Sequence, residues 1–529
     1  MRFWDRSLLI CKYLCDYGTQ SVRHLAHQTG LSKSSVHRLR QAMARRGGSP
    51  EAGLWETEAG RQWFTRLVVA TLYIFGLKRG VGVDTLSEFF VRLRLQHPMG
   101  GSPTALRGVM QALERTTVET AQTWEKEGTT TGEAREIIGA VDETFLEQML
   151  LVFMDLPSGY LLVEEGAADR TYATWKAVVD ERLKTLGATG LSLVSDRAKA
   201  LIQLAETGFE CLSMPDFFPC VHDIVKSYSL AMGRRLRQAQ QELMHAEAML
   251  TRRQTSAPGR QDNQEDVLLV AARRAEVTRW TEVQHTYRQH LETLSLTLHP
   301  FNIDESTVQT STQVARRLHA EVEAIEALAT RHQFPTCHTA RTKVRKQLPA
   351  LAALVDFWWT GVEQDLEHAG LSMCWRAWAK ESLLPHVYWA HQVMHTRCTR
   401  RKAKLRKALE ASQAAFDHHV LTQRLPLQAL EEWKAWANQR VRAFQRTSSA
   451  VEGRNGYLSQ MHHNHRGLPP QRPKVWTALH NFDCRALDGT TPAARFFGRR
   501  FPDLFETVLP HIAALPRPRQ RKCDSGLRS

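Results

Sequence analysis

Two carboxylates interrupt otherwise apolar runs and are the first residues with chemical promise. Asp142 lies inside IIGAVDETF, where a charged side chain is costly to bury unless it is paired or bound to a metal. Asp196 ends a second run in GLSLVSDRAKAL, and the ends of strands in mixed sheets commonly carry functional groups. Each acid has a plain structural alternative as a turn-former or helix cap, and Asp196 before Arg197-Ala198-Lys199 is a credible cap. Glu143 and Asp155 compete for the first role. Alternation along a strand turns Glu143 to the face opposite Asp142, and Asp155 stands beside a turn, so both read as structural or solvent-facing. Nine cysteines without a paired CxxC spacing, and histidines 462, 463 and 465 without a zinc-like spacing, point away from a zinc centre.

The elements that must position these acids are legible as apolar runs. IIGAVDETF, MLLVFMDLPSG and YLLVEEGA form an antiparallel meander, with Pro157-Ser158-Gly159 at the last turn. A helix over Thr171 to Leu186 follows, then the strand GLSLVSD, a helix through Leu201 and Leu204, and the short run CLSMPDFF. That order predicts a mixed sheet covered by helices. From about residue 230 the pattern is helical for roughly two hundred residues. Arg234 to Arg253 and Val267 to Leu298 read as an antiparallel hairpin, followed by helices over Ser311 to His332, Lys343 to Ala369, Leu383 to Ser412 and Leu427 to Gln445.

The chain carries 70 Lys and Arg against 55 Asp and Glu, a formal charge of +15, so a polyanion is the leading partner class. SVRHLAHQTGLSKSSVHRLRQAM has the plan of a helix-turn-helix: Leu25 and Ala26 on one helix, Gly30 at the turn, Val36 and Leu39 on the next. Ser32 caps the second helix, which presents Lys33, Ser34, Ser35, His37 and Arg38 as a DNA-reading face. Val81 to Leu113, with Asp84 and Ser102 at helix starts, reads as a further DNA-binding or linking module. Within the later helices Arg400, Arg401 and Lys404 belong to a dense basic run suited either to phosphates or to plain solvation.

Glu452, in SSAVEGRNGYLSQMHHNHRGL, completes a pattern. The order of Asp142, Asp196 and Glu452, with a meander between the first two, resembles DDE-type bacterial insertion-sequence transposases with a large helical insertion. VEGRNGYLSQMHHNHRGL and NFDCRALDGTTPAARFFG look like phrases of that family. A Tyr/Arg/Lys set found around the glutamate in one variant has no counterpart, since Gln445, Ser448 and Ser459 occupy those offsets. Cys220 and His222 resemble a Cys/His pair of some relatives, with spacing one residue shorter. The resemblance implies a ribonuclease H-like domain in an α+β, mostly helical chain. It also implies an enzyme that cleaves and joins DNA strands with two Mg²⁺ ions (Mn²⁺ as substitute) held by Asp142, Asp196 and Glu452. Asp483 and Asp488 are the alternatives for the third acid, and Arg454 and Asn455 are expected near a DNA phosphate.

The implied organisation is a helix-turn-helix over 1–60, a helical module over 61–135, the ribonuclease H-like domain in 136–230 and 446–482 around an insertion over 231–445, and a basic tail from 483. The partners implied are double-stranded transposon-end and target DNA, acted on by a homodimer or higher multimer. A near-average composition, with 43% hydrophobic and 24% charged residues, argues against a disordered or fibrous chain. The apolar stretch Leu67 to Gly76 is too short to span a bilayer and the start lacks a signal pattern, so a cytoplasmic, nucleoid-associated location is expected. The competing expectation is a non-catalytic DNA-binding regulator or scaffold descended from a transposase.

Overall fold

A computed structural model describes residues 20–45, 58–95, 99–130, 134–256, 264–334, 338–465, 471–512 and 514–517. The apolar runs form a five-stranded sheet, β1 (Arg135–Phe145), β2 (Met149–Asp155), β3 (Tyr160–Ala167), β4 (Ala188–Ser195) and β5 (Leu212–Pro215), in the order β3-β2-β1-β4-β5. The first three strands are an antiparallel meander, while β4 pairs parallel to β1 and β5 parallel to β4. Order and directions are those of a ribonuclease H-like sheet in a mostly helical α+β chain. β2 is buried along nearly its whole length because helices cover both faces, which is why MLLVFMD reads as a continuous apolar run rather than an alternation.

The N-terminal helices are α1 (Val22–Thr29) and α2 (Lys33–Arg45). Ser21 caps α1 by accepting from His24 N, and Gly30 ends it at φ +67°, a conformation that disfavours a β-carbon. Leu25 and Val36 are buried against each other, with Val22, Ala26, Leu31 and Leu39 around them.

The stretch expected to form a separate module over 61–135 instead belongs to the main core. α3 (Glu58–Thr71) continues as a π-helical turn over Leu72–Lys78, followed by α4 (Val83–Arg92) and α5 (Pro103–Thr129). Phe64, Leu72, Leu77, Phe90, Leu106 and Leu113 join the same buried cluster as the strands. α6 (Tyr172–Leu186) covers β3 and β4 and ends at Gly187 in the left-handed region.

The insertion opens with α7 (Phe217–Ser256) and α8 (Gln264–Thr297). Arg273 meets Glu242 at 2.6 Å and Arg253 meets Asp266 at 2.7 Å, a register in which rising numbers on one helix face falling numbers on the other. The antiparallel hairpin is as expected. Further on lie α9 (Ser311–Arg331), α10 (His338–His368), α11 (Leu384–His395), α12 (Thr399–His418) and α13 (Leu427–Ala443). The single helix expected over Leu383 to Ser412 is broken between α11 and α12, where Thr396 turns to an extended conformation. Phe217 N donates to Arg446 O at 3.1 Å, so the long excursion begins and ends at one point.

After it come α14 (Ser449–His465), α15 (Arg472–Phe482), α16 (Pro492–Phe497) and α17 (Leu504–Val508). The basic tail expected from 483 is therefore corrected: Phe496, Phe497, Leu504, Val508 and Ile512 are buried in the main core. Phe497 lies against Gly128 so closely that an added β-carbon would meet its ring at 2.5 Å, and Pro516 O accepts from Gly100 N at 2.6 Å. Apolar residues interleaved among the arginines are what fold this segment.

Candidate functional site

The parallel register brings the first two acids into line. Ala140 of β1 pairs with Val194 of β4; Asp142 stands two residues further along β1, and Asp196, two residues past Val194, directly follows the last residue of β4. Equal offsets in parallel neighbours bring the two acids level where β4 ends, close enough for the charge of Asp196 to act on Asp142. Helix α14 packs against β1 and β2 and brings Glu452 in its first turn, with Asn455 three residues later on the same helix face. Asn455 Nδ2 donates to Asp142 Oδ2 at 2.8 Å, which ties the helix to the strand across 313 residues of sequence.

Asp142 is half-buried and accepts a second bond from Glu143 N at 3.0 Å. Burial pushes its carboxyl up to about 6; the backbone bond opposes this, while the charges of Glu143, Asp196 and Glu452 add to it. The three expected acids thus share one electrostatic field. Asp196 is exposed and accepts from Ala198 N at 2.8 Å, the turn-forming role that the sequence left open. Arg197 after it is held at φ +63°, a sparsely occupied conformation for a side-chain-bearing residue. Glu452 is exposed on the helix surface, and its carboxyl is raised by partial burial and by Asp216, against the opposing influence of His222.

Asp216 was not foreseen. It follows β5 at the position level with Asp196, since Ser195 pairs with Pro215. Its buried carboxylate accepts from Ser448 N at 2.8 Å and from Ser448 Oγ, anchoring the start of α14 to the sheet end. An acid directly after CLSMP was the available signal, readable once β4 and β5 are known to run parallel.

The competing acids have other work. Glu143 pairs with Arg170. Asp155 shapes the β2–β3 turn, accepting from Ile138 N and Ser158 N at 3.3 and 3.1 Å, and burial pushes it up to about 6. Asp483 is paired with Lys78 at 2.6 Å and Asp488 with Arg442 at 2.7 Å.

The expectation for Arg454 is corrected. Its guanidinium is buried and grips Glu164 of β3 with two bonds of 2.6 and 2.8 Å, so it holds α14 down and has no surface to offer a phosphate. Asn455 faces Asp142. His462 and His463 lie on α14 rather than in a loop, and Arg466 falls outside the described residues. On the basic helix α12, Arg400 and Lys404 flank Glu292 at 3.6 and 3.5 Å while remaining half exposed, and Arg401 donates to Ser295 Oγ at 3.0 Å. On α2, Lys33, Ser34, His37 and Arg38 are exposed, whereas Ser35 is half-buried and bonded to the capping Ser32.

Among the described residues, no three His, Cys, Asp or Glu side chains stand close enough as they are to hold a metal ion. The donor chemistry at the sheet end nevertheless suits a hard divalent cation, because Asp142, Asp196 and Glu452 offer carboxylate oxygens and Asn455 an amide oxygen. Asn455 Oδ1 is buried without a hydrogen-bond partner beside Asp142, an acceptor left over at this point. No helix among the described residues is long and apolar enough to cross a membrane.

Residues 379–524 match a family of unknown function, DUF6399, and residues 5–47 match the IclR helix-turn-helix domain. No curated protein matches the chain. The chain therefore carries an N-terminal IclR-type helix-turn-helix DNA-binding domain and a C-terminal DUF6399 domain that contains the helix bearing Glu452.

Proposed function

We propose that this protein is a transposase that binds the ends of its element through the helix-turn-helix and cleaves and joins strands at the sheet end. The observation that carries the reading is the level placement of Asp142 on β1 and Asp196 just past the end of the parallel strand β4, with the charge of Glu452 on α14 acting on Asp142. Asp142, Asp196 and Glu452 are the residues that would hold Mg²⁺, or Mn²⁺ in its place. Bound there, the metal would activate a water or 3′-hydroxyl for in-line attack and stabilise the leaving oxygen.

The chain's own groups do the positioning. Asn455 fixes one oxygen of Asp142 and the Glu143 amide the other, so the carboxylate cannot swing away. Asp216 and Glu164 hold α14 at two points, which sets where Glu452 lies relative to the sheet. Transposon ends are acted on in pairs, so a homodimer or larger assembly belongs to this reading.

The test is strand cleavage and joining on DNA carrying the element's ends. Asp142→Asn, Asp196→Asn and Glu452→Gln should each lose activity while folding and binding DNA normally; wild-type strand transfer by any one of them removes that acid from the site. A second reading, a DNA-binding regulator without catalysis, is favoured by Asp196 serving its own turn. DNA binding indifferent to Mg²⁺, with no nicking by the wild-type chain, would establish it instead.

A further inference from the structure

A second concentration of charge lies within the helical insertion, among α7, α8 and the end of α9. There a polar cavity of about 390 Å³ is lined by Arg235, Arg273, Arg279 and Arg331. Two of these are answered by acids: Arg273 meets Glu242 at 2.6 Å and Arg279 meets Glu276 at 3.0 Å. Arg235 and Arg331 are exposed and form no ion pair among the described residues. The cavity thus keeps two guanidinium charges in excess. Its neighbour His332 responds to this field, being held below its ordinary value by burial and then by Arg279 and Arg331.

Guanidinium is planar, always charged and shaped to donate paired hydrogen bonds, a match for tetrahedral phosphate oxygens. The space is also far larger than one water, whose share of liquid volume is about 30 Å³. We propose that this cavity binds a phosphate group, between Arg235 from α7 and Arg331 from α9, with Arg273 and Arg279 held in place by their acids. The phosphate comes either from a free mononucleotide or from a DNA backbone. The site shares no residue with the acid cluster and does not depend on strand transfer.

Calorimetric titration of the full chain with inorganic phosphate, with thymidine monophosphate and with a short DNA duplex tests it. The Arg235→Gln/Arg331→Gln variant is compared with Arg61→Gln/Arg92→Gln, which removes the same charge from helices outside the insertion. The cavity variant should weaken at least one probe by about tenfold or more, and the control by less than about twofold. Loss on phosphate and mononucleotide identifies a free ligand. Loss confined to the duplex, with a shallower salt dependence, identifies the backbone. Equal binding of all three probes by the two variants, or no binding of any probe by the wild type, overturns the proposal. Both arginines are exposed, so a matched circular dichroism spectrum separates lost binding from lost folding.

Discussion

Helix α14 carries two charge clusters that obey opposite rules. On one side Arg454 is buried and fully answered by Glu164, with Thr477 Oγ1 adding a bond to the same carboxylate at 3.2 Å. On the other, Glu452 joins Asp142 and Asp196 in a group of like charges, where Asp142 is held up to about 6 and its bonds come from an amide and a backbone N–H. A buried charge in a stable fold is ordinarily paired, because desolvation alone costs several kcal/mol. The paired cluster is what fixes the helix. The unpaired one gathers like charge around the half-buried Asp142, an arrangement that costs stability rather than adding to it.

That contrast can be broken in order of expected effect. If the proposed function holds, Asp142→Asn should reduce strand transfer by about a hundredfold to a thousandfold, the range seen when a key electrostatic group is removed. The same variant should melt no lower than wild type at neutral pH, because discarding a like charge offsets the loss of one of the two bonds that Asp142 accepts, from Asn455 and from Glu143 N; a clear fall in melting temperature would mean the acid is structural. Arg454→Met should do the reverse and destabilise by about 3–5 kcal/mol, since it strands Glu164 in the core. Adding Glu164→Leu should recover part of that loss, and denaturant titration of the single and double variants measures it.

His480 sharpens the comparison from the paired side. It is half-buried, bonds Gly159 O at 2.9 Å through Nε2, and is pushed down to about 3 by desolvation first and Arg454 second. Because its folded value lies below the unfolded one of about 6.5, its neutral form favours folding above pH 6.5. That contribution is lost as pH falls from 6.5 toward 3, about 2 kcal/mol by pH 5. His480→Gln should flatten this part of the stability profile in chemical denaturation at stepped pH. The smallest effect belongs to the recognition helix. Lys33→Ala/Arg38→Ala should weaken DNA affinity by about tenfold and reduce the salt slope by up to about 2, as read from binding titrations at stepped salt.

How much of this was readable in advance follows from how local each signal is. The strands announced themselves because each is a short apolar run bounded by turn residues, and Asp142 stood out as the charge inside one. Order along the chain together with family likeness singled out Glu452, but its tie to Asp142 through Asn455 spans 313 residues and leaves no local trace. Arg454 looked like a phosphate contact because an arginine beside a candidate acid reads that way until its own partner, 290 residues earlier, is known. The last segment was misread because its arginines and prolines dominate the composition, while Phe496, Phe497, Leu504 and Val508 do the packing. Asp216 became legible only with the β4–β5 register.

The backbone bond from Phe217 to Arg446 has a kinetic meaning. Joining two chain segments so far apart would ordinarily carry a large closure entropy and slow the search for contacts. Here the intervening helices can assemble first from neighbours in sequence, as α7 does with α8, and deliver both ends already side by side. The chain then brings α14 back onto a sheet whose five strands all precede the insertion by docking a preformed unit rather than by closing a long flexible loop.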